Sequence, residues 1–183
     1  MFPKLDTERL VLREILPSDV EAIYSIFSNE GVTKYYGLNT FKKMEQAEKL
    51  IQAFTSNFQS EKGIRWGIER KGVPGLIGTV GFNSWSKAHR RAEVGYEIHP
   101  DFWRNGYASE AVAEIVEHGF QEMELTRIGA IVFVENNGSS QLLMKHGFEK
   151  EGILRKYMYQ NNEAFDVIML AKFNQQNGRD DRS

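Results

Sequence analysis

The stretch from Glu97 to Ala111 limits what this chain can fold into more than any other, because it joins two opposite periodicities through a tight turn. Residues Glu93 to Ile98 alternate as a strand does, and from Ala108 onward Ala111, Val112, Ile115, Val116, Gly119, Phe120 and Met123 recur at helical spacing. A strand that passes through Pro100 and Gly106 into an amphipathic helix leaves the first N–H groups of that helix without internal partners, at the positive end of its dipole. Those groups fall on Asn105, Gly106, Tyr107, Ala108 and Ser109. Gly106 has no Cβ and Ala108 only a methyl group, so an anion such as a pyrophosphate can approach the main chain closely. The same small residues also suit a plain turn and a closely packed helix. The stretch lacks the Gly-Lys-Ser/Thr ending of a P-loop and the three spaced glycines of a dinucleotide fold.

Several further segments stand in a telling order. Thr7-Glu8-Arg9-Leu10-Val11-Leu12-Arg13, Ile77-Gly78-Thr79-Val80-Gly81, Ala92-Glu93-Val94-Gly95-Tyr96 and Trp103 to Ala111 come first, followed by Asn137-Gly138-Ser139-Ser140, Gly147-Phe148 and Glu151-Gly152-Ile153-Leu154-Arg155. Together they resemble the GCN5-related N-acetyltransferase (GNAT) family, and within it the RimJ/RimL branch of ribosomal-protein N-terminal acetyltransferases. The resemblance runs from about residue 5 to 173. It implies an α+β fold: a mixed, mostly antiparallel seven-stranded sheet with about four helices and a splayed parallel strand pair holding acyl-CoA. It also implies acetyl-CoA as co-substrate and no metal.

Composition sets outer limits. A chain of 183 residues, 41% hydrophobic, with twelve Phe, suits one domain over residues 1–173 with a polar, mobile tail at 174–183. A formal charge of −2 gives no general attraction to nucleic acid or to a membrane surface. No signal segment and no apolar run of spanning length stand out, so a cytoplasmic location is the expectation. The absence of cysteine excludes disulfides, thiolate metal sites and a cysteinyl intermediate, and the four histidines lack ligand spacing.

In chain order, a first strand over residues 9–15 precedes a helix opened by a Ser18/Glu21 capping box and ended near Gly31. Residues 32–38 form an aromatic loop in which Tyr35 and Tyr36 are candidates for acceptor recognition; they would equally serve to cap the core. A helix follows with Ala47, Leu50, Ile51 and Phe54 on one face, then an antiparallel hairpin over 64–70 and 76–85. Strand 93–99, helix 106–123 and strand 127–134 make a unit whose strands pair in parallel. A short helix over 139–145 stops at Gly147, and strands over 148–159 and 164–173 close the sheet.

Acetyl transfer to an amine needs a neutral nucleophile, oxyanion stabilisation and a proton for the departing thiolate. Glu93, Glu97 and His99 share one face of their strand, and either glutamate could take the amine proton or instead form an ion pair. Glu93 holds the position of the basic glutamate in several GNAT enzymes. The resemblance further implies that main-chain groups at Glu97, Ile98 and His99 hold the thioester and pantetheine, with Arg104 near a CoA phosphate and Asn137 on the pantetheine or the loop. Many GNAT enzymes carry an acid tyrosine seven residues after the motif asparagine, where this chain has Met144. The branch pattern points to Ser140 instead, although Ser139 or Ser140 would also serve as a helix N-cap; Tyr157 and Tyr159 are the substitutes. Asp166 matches a position near the end of the branch pattern and suits a strand-edge salt bridge equally well. The resulting expectation is direct transfer from acetyl-CoA to a peptide or protein N-terminal amine. A small amine, a catalytically idle acyl-CoA-binding module and a homodimer all remain open.

Overall fold

A computed structural model describes residues 1–175, so most of the tail expected at 174–183 lies outside the described residues. One sheet carries the fold, in the order β1-β2-β3-β4-β5-β6-β8-β7. Its strands are β1 (Leu5–Asp6), β2 (Leu10–Glu14), β3 (Ile64–Arg70), β4 (Val73–Ser86), β5 (Arg91–Ile98), β6 (Arg127–Phe133), β7 (Glu149–Gln160) and β8 (Glu163–Phe173). The eighth strand, beyond the seven expected, is β1, a two-residue piece on the edge. The helices are α1 (Val20–Phe27), α2 (Glu30–Thr33), α3 (Met44–Gln59), α4 (Tyr107–Gln121) and α5 (Asn137–Lys145).

All pairings are antiparallel except that of β5 with β6, and this parallel pair is short. It covers Arg91↔Arg127, Ala92↔Ile128 and Glu93↔Gly129. Past Glu93 the two strands separate, as expected for a splayed pair. On one side of the sheet Ala92, Val94 and Ile98 pack with Ala111, Val112 and Ile115 of α4 around fully buried Trp66 and Phe82. A second cluster, built on Ile23, Ile26 and Phe27 of α1 and Ala47 and Ile51 of α3, covers the other side. Each large apolar side chain enclosed in this way stabilises the fold by roughly 1.5–3 kcal/mol.

Two local expectations need correction. Asp19, rather than Ser18, organises the first helix start: its carboxylate accepts from the Leu16 N–H and from both terminal guanidinium nitrogens of Arg13. Gly31 does not stop a helix, because Asn29 accepts its N–H and starts α2 there.

The aromatic loop after α2 is tied to the far end of the chain. Gln160, buried at the end of β7, accepts from the Gly37 N–H at 2.9 Å and donates to the carbonyls of Thr33 at 2.7 Å and Leu38 at 3.0 Å. Gly37 sits at φ 77°, and a Cβ there would collide with the Met158 methyl. A two-residue turn of Asn161 and Asn162, both with positive φ, places Gln160 at the hairpin end. Gln160→Ala orphans several main-chain groups, and a loss of about 2–3 kcal/mol is expected, read as a lower urea midpoint at unchanged slope.

Candidate active site

Two concavities meet where β5 and β6 diverge. The first, of about 600 Å³, runs from Gly31 and Val32 past Tyr96, Glu97 and Ile98 to residues 102–104 and 106–109. The second, of about 540 Å³, lies between the aromatic loop, α3, β5, β6 and β7 and includes Glu93, Phe133 and Tyr157. Tyr35, Tyr36, Tyr96, Asn136 and Ser139 line both. The Tyr96 and Ser139 hydroxyls are 2.7 Å apart at this junction. Burial pushes the Tyr96 phenol up to about 12 against a smaller opposing pull from Ser139, so it keeps its proton at neutral pH.

The turn and helix start take the expected form. Gly106 is the N-cap of α4 at φ 78°, a left-handed conformation that favours glycine, and the Glu110 N–H is the first to return to it. Gly106, Tyr107, Ala108 and Ser109 therefore present free N–H groups to the first cleft. Arg104 lines the cleft at its rim and is exposed. Asn105 is absent from the lining; it braces the turn, donating to the carbonyls of Phe102 and Trp103 and accepting from Arg9. Ser109 bonds His146 Nε2 at 2.7 Å.

A latch from the connection between β1 and β2 holds this turn. Glu110 accepts from the Thr7 hydroxyl, the Arg9 N–H and the Arg9 side chain at 2.5–2.8 Å. Burial disfavours the ionised Glu110 carboxylate, but these bonds outweigh it and hold the group below the ordinary carboxylate range. A depressed folded pKa gives stability that is present above the unfolded value and lost as pH falls through the folded one. The difference in melting temperature between the wild type and Glu110→Gln should therefore be constant above about pH 5 and shrink below about pH 4.

The strand β5 divides the predicted site residues. The His99 N–H donates to Ile77 O, so in the alternation of the antiparallel pair Glu97 and His99 direct their main-chain groups toward β4, while Tyr96 and Ile98 direct theirs toward the gap. Of the backbone positions expected to hold the pantetheine, Ile98 qualifies, joined by Tyr96. Ile98 O already accepts from Trp103 Nε1 at 2.6 Å, which leaves its N–H.

Glu93 lines the second cleft, with a Ser84 hydroxyl at 3.3 Å. Glu97 is different. Its buried carboxylate pairs with Arg65 at 2.5 Å and accepts from Thr79, and Arg65 also donates to Tyr36 Oη at 2.8 Å and Gly95 O at 3.1 Å. Burial raises Glu97 above its usual range while Arg65, Thr79 and Tyr36 pull it back. Burial lowers Arg65, but Glu97 and Tyr36 more than offset it. Tyr36 is thereby fixed at the junction by a charge network that sequence reading missed.

Of the paired asparagines and serines, Asn136 and Ser139 face the clefts, whereas the expected Asn137 and Ser140 do not. Asn136 is the N-cap of α5, accepting from the Ser139 N–H at 3.2 Å, and it faces the clefts; Asn137 is exposed and outside both. Ser139 reaches the junction, whereas the Ser140 hydroxyl is buried without a hydrogen-bond partner and lines neither cleft. Tyr157 is half exposed at the wall of the second cleft, Tyr159 points outward, and Met144 is exposed away from both. Asp166 accepts from the Lys156 N–H, a strand-edge bond. Among the described residues no group of His, Asp and Glu could hold a metal ion, and no helix is long and apolar enough to cross a membrane.

The family described as the acetyltransferase (GNAT) domain matches residues 9–149. YoaA of Bacillus subtilis (strain 168), named as an uncharacterized N-acetyltransferase, is 54% identical over 171 residues, covering 93% of this chain and 97% of its own. The ribosomal-protein-serine acetyltransferase of Escherichia coli (strain K12) is 31% identical over 169 residues, with 91% and 93% covered. The spermidine N(1)-acetyltransferase of the same strain is 26% identical over 166 residues, with 90% and 86% covered. Among solved structures, a GNAT-family acetyltransferase from Bacillus anthracis superposes with a TM-score of 0.82 at 26% identity, covering 93% of this chain and 98% of that one. The chain belongs to the GNAT family, and it is an acetyltransferase.

Proposed function

We propose that this enzyme transfers the acetyl group of acetyl-CoA directly to the α-amine at a protein N-terminus. The observation that carries the reading is the meeting of two clefts at Tyr96 and Ser139: one has a helix N-terminus suited to a pyrophosphate, the other an available carboxylate. The relative named for a ribosomal-protein serine supports a protein acceptor.

Donor binding, amine deprotonation and thiolate protonation then each have a residue. N–H groups of Gly106 to Ser109 bind the pyrophosphate, and the gap-facing main chain of Tyr96 and Ile98 pairs with the pantetheine as an added strand would. An α-amine has a pKa near 8, so roughly a tenth is neutral at pH 7 and little basicity is asked of the protein. Glu93 takes the remaining proton, directly or through water. The amine nitrogen bonds to the carbonyl carbon, the C–S bond breaks, and Ser139, backed by protonated Tyr96, supplies the proton that converts the departing thiolate to thiol. Glu97 is committed to Arg65 and positions the floor and Tyr36.

The test is release of CoA thiol from acetyl-CoA with N-terminal peptides, lysine peptides and small amines, read with a thiol reagent; the protein has no cysteine to add background. Release that depends on N-terminal peptides is expected and should fall at least tenfold in Glu93→Gln at pH 7. Tight acetyl-CoA binding without acceptor-dependent release would overturn the reading.

A further inference from the structure

The walls of the second cleft carry information about what the amine is attached to. Leu50, Phe54, Phe133, Met158 and Val167 form its apolar wall, Asn83, Asn136 and Ser139 are uncharged polar residues of its lining, and Glu93 is the one charged residue among the described residues lining it. The neighbouring Glu97 offers no attraction to a second cation, because Arg65 neutralises it inside the sheet and both side chains are 3% exposed. An acceptor with several ammonium groups would set the others against the apolar wall with no anion to meet them, which is unfavourable to the extent that they leave water. An acceptor with one amine and a large apolar body gains instead from every methylene it removes from water.

We propose that the acceptor is an N-terminal α-amine whose first residue bears a large apolar side chain, with Glu93 facing the amine and the Leu50, Phe54 and Phe133 wall enclosing that side chain. This rests on the direct-transfer reading given above. Selectivity follows from charge and area together: one carboxylate matches one amine, and the apolar wall rewards Phe or Leu over Ser or Asp at the first position. The arrangement disfavours polyamines even though relatives in the family act on one.

The experiment compares kcat/KM for peptides identical beyond their first residue, beginning with Phe, Leu, Ser or Asp, alongside 2-phenylethylamine and spermidine. Phe and Leu peptides should exceed the Ser peptide by about tenfold or more, and 2-phenylethylamine should exceed spermidine. Leu50→Asp, which adds a second carboxylate to the wall, should narrow the gap between 2-phenylethylamine and spermidine, with acetyl-CoA binding retained as the check on folding. Equal or better use of Ser, Asp or spermidine would overturn the proposal while leaving acetyl transfer standing. Acetyl-CoA binding with no amine acetylated would overturn the transfer reading, and this proposal with it.

Discussion

Arg65→Met should destabilise the protein by about 3–5 kcal/mol, the cost of leaving a buried carboxylate without its partner. Glu97 and Arg65 are almost completely enclosed, and the guanidinium also holds Thr79, Tyr36 and Gly95 O, so a single substitution orphans several polar groups together. At this chain length the loss corresponds to a fall in melting temperature on the order of 10 °C. The double variant Arg65→Met/Glu97→Met should recover much of it, since an apolar pair of similar volume removes the uncompensated charge. Urea titrations of the wild type, the two single variants and the double variant measure the coupling directly. A double variant no more stable than Arg65→Met would show that the pair is not the stabilising unit described.

Ser139→Ala should lower kcat by about a hundredfold or more, the range for loss of a positioned proton donor. Ser140→Ala should leave kcat within about twofold, because that hydroxyl is buried, unpartnered and outside both clefts, and removing it relieves an unsatisfied polar atom. KM for acetyl-CoA should change little in either, since the cradle on α4 is untouched. Tyr96→Phe should follow Ser139→Ala in direction. Steady-state rates of thiol release on purified variants decide the matter, and a loss confined to Ser140→Ala would reverse the assignment.

The contrast between these two serines shows where sequence reading stops. The turn and the start of α4 were legible because their signals are local: Gly106, Ala108 and the helical spacing from Ala111 all act within a few residues. The parallel pairing of β5 and β6 followed from the strand-helix-strand unit and needed no side-chain detail, while their splay was implied by the family resemblance. The closing motif holds two consecutive asparagines and two consecutive serines, and local pattern allows either register. The deciding fact is which helix face is buried: Ser140 lies three before Leu143 on the inward face, and Ser139 three before Leu142 on the cleft face. That spacing was available, but its direction depends on where β6 and β8 lie. An ion pair at Glu97 was an open reading, but Arg65 as its partner could not be read, since the pair joins residues on β3 and β5 across β4, in contact only once the sheet has formed. Gln160 escaped notice for the same reason, as its partners lie more than 120 residues earlier.

In the proposed direct transfer, donor and acceptor occupy the two clefts at the same time and react across the Tyr96–Ser139 junction. Initial rates with acetyl-CoA and the acceptor varied against each other test this most directly. Simultaneous occupancy predicts double-reciprocal lines that intersect. Parallel lines, together with an acetylated protein when acetyl-CoA is supplied alone, would mean a covalent intermediate and would contradict direct transfer.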